Sequence, residues 1–104
     1  FYDELWPVLA HRVQNFEIAK ITSAWAGLYS FNTADHNAII GNHPTMQGYY
    51  MALGFSGHGM QQAPAVGQGL AELIHLGKYE NLDLHPLRFE RFAENDLVLE
   101  DAIV

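Results

Sequence analysis

The sequence predicts an α+β fold, or a piece of an α/β sheet, with a few strands and one main helix. Apolar residues recur at helical spacing near the N-terminus and again in the second half of the chain, and β-branched and aromatic residues concentrate between these two regions. Hydrophobic residues make up 49% of the 104 residues and charged residues 16%, a balance that argues against disorder and fits one domain. The predicted order is helix, long strand, short strand, strand, helix and tail.

The N-terminal region begins with an amphipathic helix over residues 4–15. Its evidence is a set of apolar residues spaced by four and three, with Pro7 marking the first turn: Leu5, Leu9, Val13 and Phe16. The next segment, IAKITSAWAGLYSFN, lacks helical periodicity and predicts a long strand with a half-buried face. The residues of that face share one parity: Ile21, Trp25, Tyr29 and Phe31.

Two shorter strands follow. The segment AIIG predicts a short buried strand, and YYMALG, which is apolar on both faces, predicts an internal strand. Three strands with one principal helix would leave much sheet surface uncovered. We therefore expect a partner domain beyond this chain.

The second half of the chain contains the main helix, predicted over residues 60–76 and ended by Gly77 as its C-cap. An irregular tail follows, with one short helix around residues 86–92. The organisation is therefore strands of the sheet over 18–53, a glycine turn and helix over 54–77, and the tail over 78–104.

Composition excludes several classes of function. Twelve acidic and five basic residues give a net charge of −7, which disfavours nucleic acid as a partner. Cysteine is absent, the six histidines match no zinc spacing, and no apolar run reaches the length of a membrane span. No metal site, nucleophile elbow or Ser-His-Asp order is predicted.

The segment GFSGHGMQQAPAVGQGL places a glycine turn between a strand and a helix. Bare backbone N–H groups at a helix N-terminus favour a negative charge or an electron-rich oxygen, and Gly54, Gly57 and Gly59 permit positive φ and close approach of a ligand. A tight turn with glycines for packing is the alternative from spacing alone. The pattern is neither the G-x-G-x-x-G dinucleotide fingerprint nor a phosphate loop. Asp35 is interpreted as a turn residue that pins its loop, and Trp25 as core or pocket wall.

The blocks WAGLYSFNTADHNAIIGNHP and GYYMALGFSGHGMQQAPAVGQGLAELI resemble the C-terminal part of FAD-dependent amine and amino-acid oxidoreductases, the superfamily of D-amino-acid, sarcosine and glycine oxidases. The pattern is most similar to a mitochondrial branch implicated in respiratory complex I assembly, which also has a motif like Arg91-Phe92. The matching residues run in order: Trp25, Gly27, Thr33, Asp35, Ile40, Gly41, Gly54, Gly57, Gly59, Ala63, Pro64, Gly67, Ala71 and Glu72.

The resemblance implies that a Rossmann-like N-terminal FAD domain is largely missing and that the glycine turn meets the pyrimidine end of the flavin. The residues carried over as the FAD site are Gly57, His58, Gly59, Met60 and Gln61. Their N–H groups would face flavin N1 and the C2 carbonyl, where fixed donors stabilise the charge that develops on reduction. No catalytic residue is assigned, although Tyr29 is a candidate for the substrate wall.

Departures from the superfamily pattern refine this expectation. Ala34 replaces the proline of T-P-D, and Gln61 stands where sarcosine oxidases have a lysine, so the contact with flavin O2 is neutral. Leu28 occupies the place of the flavin-linking cysteine, so FAD should be bound non-covalently. Gly57 replaces the carboxylate-binding arginine of glycine oxidases, which disfavours a small amino-acid substrate.

The resemblance predicts an enzyme that oxidises the C–N bond of an amine or N-substituted amino acid by hydride transfer to flavin, with this chain inactive alone. The alternative is a non-catalytic assembly factor or protein-binding scaffold that holds FAD as a structural ligand. A third possibility is an independent α+β binding module. We expect a cytoplasmic location in a bacterium and a mitochondrial one in a eukaryote.

Overall fold

The longest element is an 18-residue helix, α2 (Gly59–Leu76), in a computed structural model that describes residues 2–99. The helix ends at Gly77, which adopts a φ of 74° and donates its N–H to the Leu73 carbonyl over 3.0 Å. Glycine adopts this left-handed conformation without a steric penalty, which is why it ends helices so often. The predicted helix over 60–76 and its cap at Gly77 are confirmed.

Two short strands form an antiparallel pair, β1 (Ile39–Asn42) and β2 (Tyr50–Leu53), in which Gly41 lies opposite Met51. Both strands lie where the sequence predicts them. The prediction that β2 is internal is wrong, because within residues 2–99 it pairs with β1 alone and only Met51 of its four residues is buried.

The core lies where β1 packs against α2 and against a 3₁₀ turn at His85–Leu87. Gly69 allows the close contact between the helix and the segment before this turn, since a Cβ at Gly69 would lie 2.5 Å from Cδ1 of Leu84. A mixed α+β fold is therefore confirmed. The buried apolar residues of this core are Ala38, Ile40, Val66 and Leu84, with Phe55, Leu70, Tyr79 and Leu87 packed against them.

The N-terminal helix, α1 (Leu5–Arg12), confirms the predicted helix and ends three residues before the expected position 15. A 3₁₀ turn at Gln14–Glu17 follows it. Neither element contains a buried residue, and the predicted apolar face makes contacts such as Trp6 against Phe16, with ring centroids 6.4 Å apart.

The predicted long strand after α1 is wrong. Residues 19–32 contain no strand, and Trp25, interpreted as core or pocket wall, is 89% exposed. A strand exists only through hydrogen bonds to a neighbouring strand, and the alternation of apolar residues does not supply that neighbour. Near its end the segment does reach the rest of the protein, where the Ser56 N–H donates to the Ser30 carbonyl over 2.9 Å.

The C-terminal segment contains the 3₁₀ turn at His85–Leu87 and a short helix, α3 (Arg91–Glu94). The predicted single helix around residues 86–92 is therefore replaced by these two elements. The last part of the predicted tail, residues 100–104, lies outside the described residues.

Candidate functional site

The glycine turn between β2 and α2 uses the left-handed region three times. Gly54, Ser56 and Gly57 have φ values of 68°, 50° and 95°. Positive φ was expected at the first and last of these positions and is confirmed there. Gly59 is instead the first residue of α2, where a Cβ would lie 3.3 Å from the Cβ of Phe55. Its lack of a side chain therefore serves close packing within the turn.

The start of α2 has no side-chain cap. His58 occupies the N-cap position, donates its N–H to the Phe55 carbonyl over 2.9 Å, and accepts from the Gln62 N–H over 3.1 Å. The N–H groups of the first helical residues have no acceptor within a helix, and together with the helix dipole they create a partial positive charge. The first turn of α2 therefore presents donors without a capping side chain.

A cleft of about 330 Å³ lies beside this turn. Its walls bring together three residues predicted for the FAD site, Gly57, Gly59 and Met60, with Tyr29 of the predicted substrate wall. Met60 is 90% exposed. The other two predicted residues, His58 and Gln61, do not line the cleft. Ser30 and Phe55 complete its lining, so none of the six residues carries a charge.

A fully buried serine, Ser56, ties the turn to the preceding segment. Its Oγ accepts the Asn32 N–H over 2.9 Å and donates to the Gly54 carbonyl over 3.3 Å. The Asn32 side chain in turn donates from Nδ2 to Asp35 Oδ1 over 2.8 Å and to the Asn37 carbonyl over 2.6 Å. The turn is thus connected by hydrogen bonds to the loop that contains Asp35.

Asp35 forms a buried ion pair with Arg91, and both side chains are fully buried. Arg91 donates from Nε to Oδ2 over 2.7 Å and from Nη2 to Oδ1 over 2.9 Å, a bidentate geometry. Burial alone would raise the pKa of Asp35, but the hydrogen bonds from Arg91 and from the Asn37 and Val98 N–H groups lower it below its ordinary value. The bond from the Asn37 N–H agrees with the interpretation of Asp35 as a residue that pins its loop.

The sequence did not predict the role of Arg91. The signal that could have found it is the Arg91-Phe92 motif, which belongs to the family pattern but does not itself indicate a contact partner. In the structure the Arg91 guanidinium also lies 4.3 Å from the centroid of the Phe92 ring.

A larger cavity of about 600 Å³ lies between β1 and the C-terminal end of α2. Lys78 and Arg88 line it, and both are paired: Lys78 with Glu80 over 3.1 Å, and Arg88 with Glu94 and Asp96. This cavity contains none of the residues predicted for the FAD site.

Within residues 2–99, no helix is both long and apolar enough to cross a bilayer. In the same part of the chain, no three potential metal-binding side chains lie close enough to form a metal site.

The glycine turn and the two strands that precede it lie within a stretch that known proteins share. A family model described as FAD dependent oxidoreductase matches residues 1–73. The chain belongs to this family. The predicted family membership is confirmed. The prediction that the relatives are flavoproteins of the amino-acid oxidase type is confirmed as well. No solved structure gives a significant match.

The named relatives of this chain fall into two groups. FAD-dependent oxidoreductase domain-containing protein 1 of Bos taurus is 46% identical over 104 residues, which is 100% of this chain and 21% of the relative. N-methyl-L-tryptophan oxidase of Salmonella dublin is 38% identical over 63 residues, 61% of this chain and 17% of the relative. Human peroxisomal sarcosine oxidase is 41% identical over 61 residues, 59% of this chain and 15% of the relative. The chain thus spans about a fifth of the length of the curated relatives it matches.

Proposed function

We propose that this chain is the C-terminal portion of an oxidoreductase that oxidises the C–N bond of an amine or N-substituted amino acid, with FAD supplying the hydride acceptor. The observation that carries the proposal is the uncharged cleft at the uncapped start of α2, formed by the glycine turn. Two relatives, N-methyl-L-tryptophan oxidase and peroxisomal sarcosine oxidase, carry N-methylated amino acids in their names, which supports this substrate class.

The residues around the cleft fit a flat aromatic ring with acceptor atoms at its edge. Gly57 and Gly59 have no side chains to keep such a ring away, and Phe55 supplies an apolar wall. The N–H groups at the start of α2 lack a capping side chain and suit an electron-rich oxygen. We propose that Gly57, Gly59 and Met60 hold the pyrimidine edge through their backbone. The carried-over site also names His58, but its N–H is already donated to the Phe55 carbonyl.

Gln61 would complete this contact with a neutral amide. A neutral amide donor stabilises developing negative charge less than an ammonium group would, because the amide contributes a dipole and the ammonium a full positive charge. FAD would be held without a covalent bond, since this chain contains no cysteine and Leu28 stands at the place of the linking residue.

The side chains around the cleft also restrict the substrate. No lysine or arginine lines it, so this portion of the site offers no cation to pair with a substrate carboxylate. Tyr29 and Met60 present aromatic and thioether surface instead. These residues favour an apolar N-substituent or side chain next to the flavin.

The proposal is tested by anaerobic reduction of the complete protein. The purified holoprotein is mixed with a panel of N-methylated amino acids and simple secondary amines while the visible flavin absorbance is followed. We expect bleaching by at least one substrate. Bound FAD that no amine or amino acid bleaches would refute the enzymatic role and favour the alternative, a non-catalytic assembly factor with structural FAD.

A pair of glycine variants tests the position of the cofactor. Gly57→Val places a β-branched residue at a φ of 95°, which only glycine adopts without steric strain, and its side chain fills the cleft. We expect it to lower FAD content, whereas Gly67→Ala, on the open face of α2, should retain full occupancy. Equal FAD content in both variants would show that the turn is not part of the FAD site.

We further expect the isolated 104-residue chain to show no turnover and weak FAD binding, which a stoichiometric yellow complex would contradict.

A further inference from the structure

We infer that Ser56 and Asn32 are positioning residues for the FAD-facing turn, and that the buried Asp35–Arg91 pair fixes them in place. The inference rests on the proposed function of the turn. It assigns a role to four side chains, none of which lies in the predicted FAD site. We refer to Arg91, Asp35, Asn32 and Ser56 as the buried network.

Ser56 is the member of the network closest to the cleft. It precedes Gly57 in sequence, is fully buried, and adopts a φ of 50°. A non-glycine residue is uncommon in this region and persists only where its surroundings hold it. Three hydrogen bonds do so here, from the Asn32 N–H to Oγ, from Oγ to the Gly54 carbonyl, and from the Ser56 N–H to the Ser30 carbonyl.

Asn32 is the junction of the network. Its backbone N–H binds Ser56, while its Nδ2 donates to Asp35 and to the Asn37 carbonyl. Its Oδ1 accepts the Ala34 N–H over 3.1 Å. Because the backbone N–H and both side-chain polar atoms are bonded, a displacement of the loop that contains Asp35 is transmitted to Ser56.

The Asp35–Arg91 pair gives this junction a rigid base. The Arg91 fork donates to both Asp35 oxygens and also to the carbonyls of Leu87, Arg88 and Asn37. A planar guanidinium with fixed donor directions holds its partners at defined angles. The network therefore extends from α3 to the residue adjacent to Gly57, and it sets the direction in which the first N–H groups of α2 point.

The test compares Ser56→Gly with Glu72→Gln in the complete FAD-loaded protein. Glycine accepts the positive φ at position 56 and removes the whole CH2OH side chain with its hydrogen bonds, so backbone strain is not the variable. Glu72 binds the loop at residues 80–81 near the other end of the same helix, through the Glu80 N–H and the Asn81 side chain, and serves as the matched control. Arg91→Lys, which retains the charge without the fork, is the second test variant.

Three quantities are measured: the dissociation constant of FAD from titration of the apoprotein, the visible absorbance maximum of bound flavin, and its reduction potential. Ser56→Gly removes both hydrogen bonds of the Ser56 hydroxyl, and we expect it to weaken FAD binding about five-fold. The absorbance maximum and the potential should shift as well, because a misplaced turn changes the donors at the flavin edge. We expect Arg91→Lys to change the same quantities in the same direction and Glu72→Gln to change none of them.

An unchanged dissociation constant, spectrum and potential in Ser56→Gly would overturn the inference and leave the FAD site itself intact. Wild-type protein that binds no FAD would instead refute the proposed function. Amide hydrogen exchange of Met60 and Gln61 in the apoprotein separates the two results, because it reports the order of the turn without a cofactor. Exchange faster in Ser56→Gly than in Glu72→Gln supports the network, and equal exchange refutes it.

Discussion

Replacing Arg91 by methionine removes one side chain that makes five hydrogen bonds, two of them to Asp35. Methionine fills much of the same volume but leaves the Asp35 carboxylate fully buried and without its counter-charge. Asp35 keeps its hydrogen bonds from the Asn32 side chain and the Asn37 N–H, which limits the loss of unfolding free energy. Removing one partner of a buried pair costs about 3–5 kcal/mol, and we expect a loss of unfolding free energy in this range at pH 7.

The pH dependence of this loss has a defined sign. Asp35 has a lowered pKa in the folded protein, so its contribution is present above the ordinary carboxyl pKa and is lost as the pH falls through the folded value. In Arg91→Met, burial is no longer opposed by the guanidinium, and the pKa of Asp35 should rise. The difference between the two proteins should therefore narrow as the pH is lowered from 7 to about 3.

The assay is urea unfolding followed by circular dichroism at several pH values. Lys78→Met is the control, because the Lys78–Glu80 pair is exposed and such pairs contribute about 0–1 kcal/mol. The reasoning is refuted if Arg91→Met loses no more stability than this control. A loss that stays constant from pH 7 to pH 3 would show that the carboxylate is not its origin.

Other predictions concern α2. Gly67→Ala should stabilise the protein by about 0.5–1 kcal/mol through helix propensity, since nothing lies within 4 Å of the added Cβ. Gly69→Ala should instead destabilise it, because its Cβ would meet buried Leu84 at 2.5 Å; the two melting temperatures should move in opposite directions. Gly77→Ala should cost about 1 kcal/mol in thermal unfolding, because alanine at a φ of 74° is strained. Hydrogen bonds from the Asn81 side chain and the Glu80 N–H lower the pKa of Glu72 to about 2, so Glu72→Gln should reduce stability near neutral pH, with the deficit disappearing in titrations toward pH 2.

The elements that the sequence predicted correctly depend on local signals. The helix α2 follows from the spacing of its apolar residues, and its end follows from a single glycine at position 77. The strands β1 and β2 are short segments bounded by turn residues, and both lie at the predicted positions.

The errors concern contacts between distant parts of the chain. Residues 19–32 have the composition of a strand, but a strand needs a partner, and none pairs with them in the described part of the chain. The ion pair of Arg91 could not be predicted for the same reason, since its partner Asp35 lies 56 residues away and no spacing rule connects the two. The glycine turn was recognisable as a candidate site, but the serine that holds it at positive φ was not, because serine carries no local sign of that conformation.

The distance along the chain between Asp35 and Arg91 has a consequence for biosynthesis. The ribosome adds roughly 5–20 residues per second, so the 56 residues between them correspond to an interval of roughly 3–11 seconds in which the carboxylate has been made and its guanidinium has not. During that interval the Asp35 loop can stay hydrated but cannot be buried at low cost. A nascent chain halted before residue 91 should therefore lack a fixed glycine turn even though every residue of that turn has already been translated.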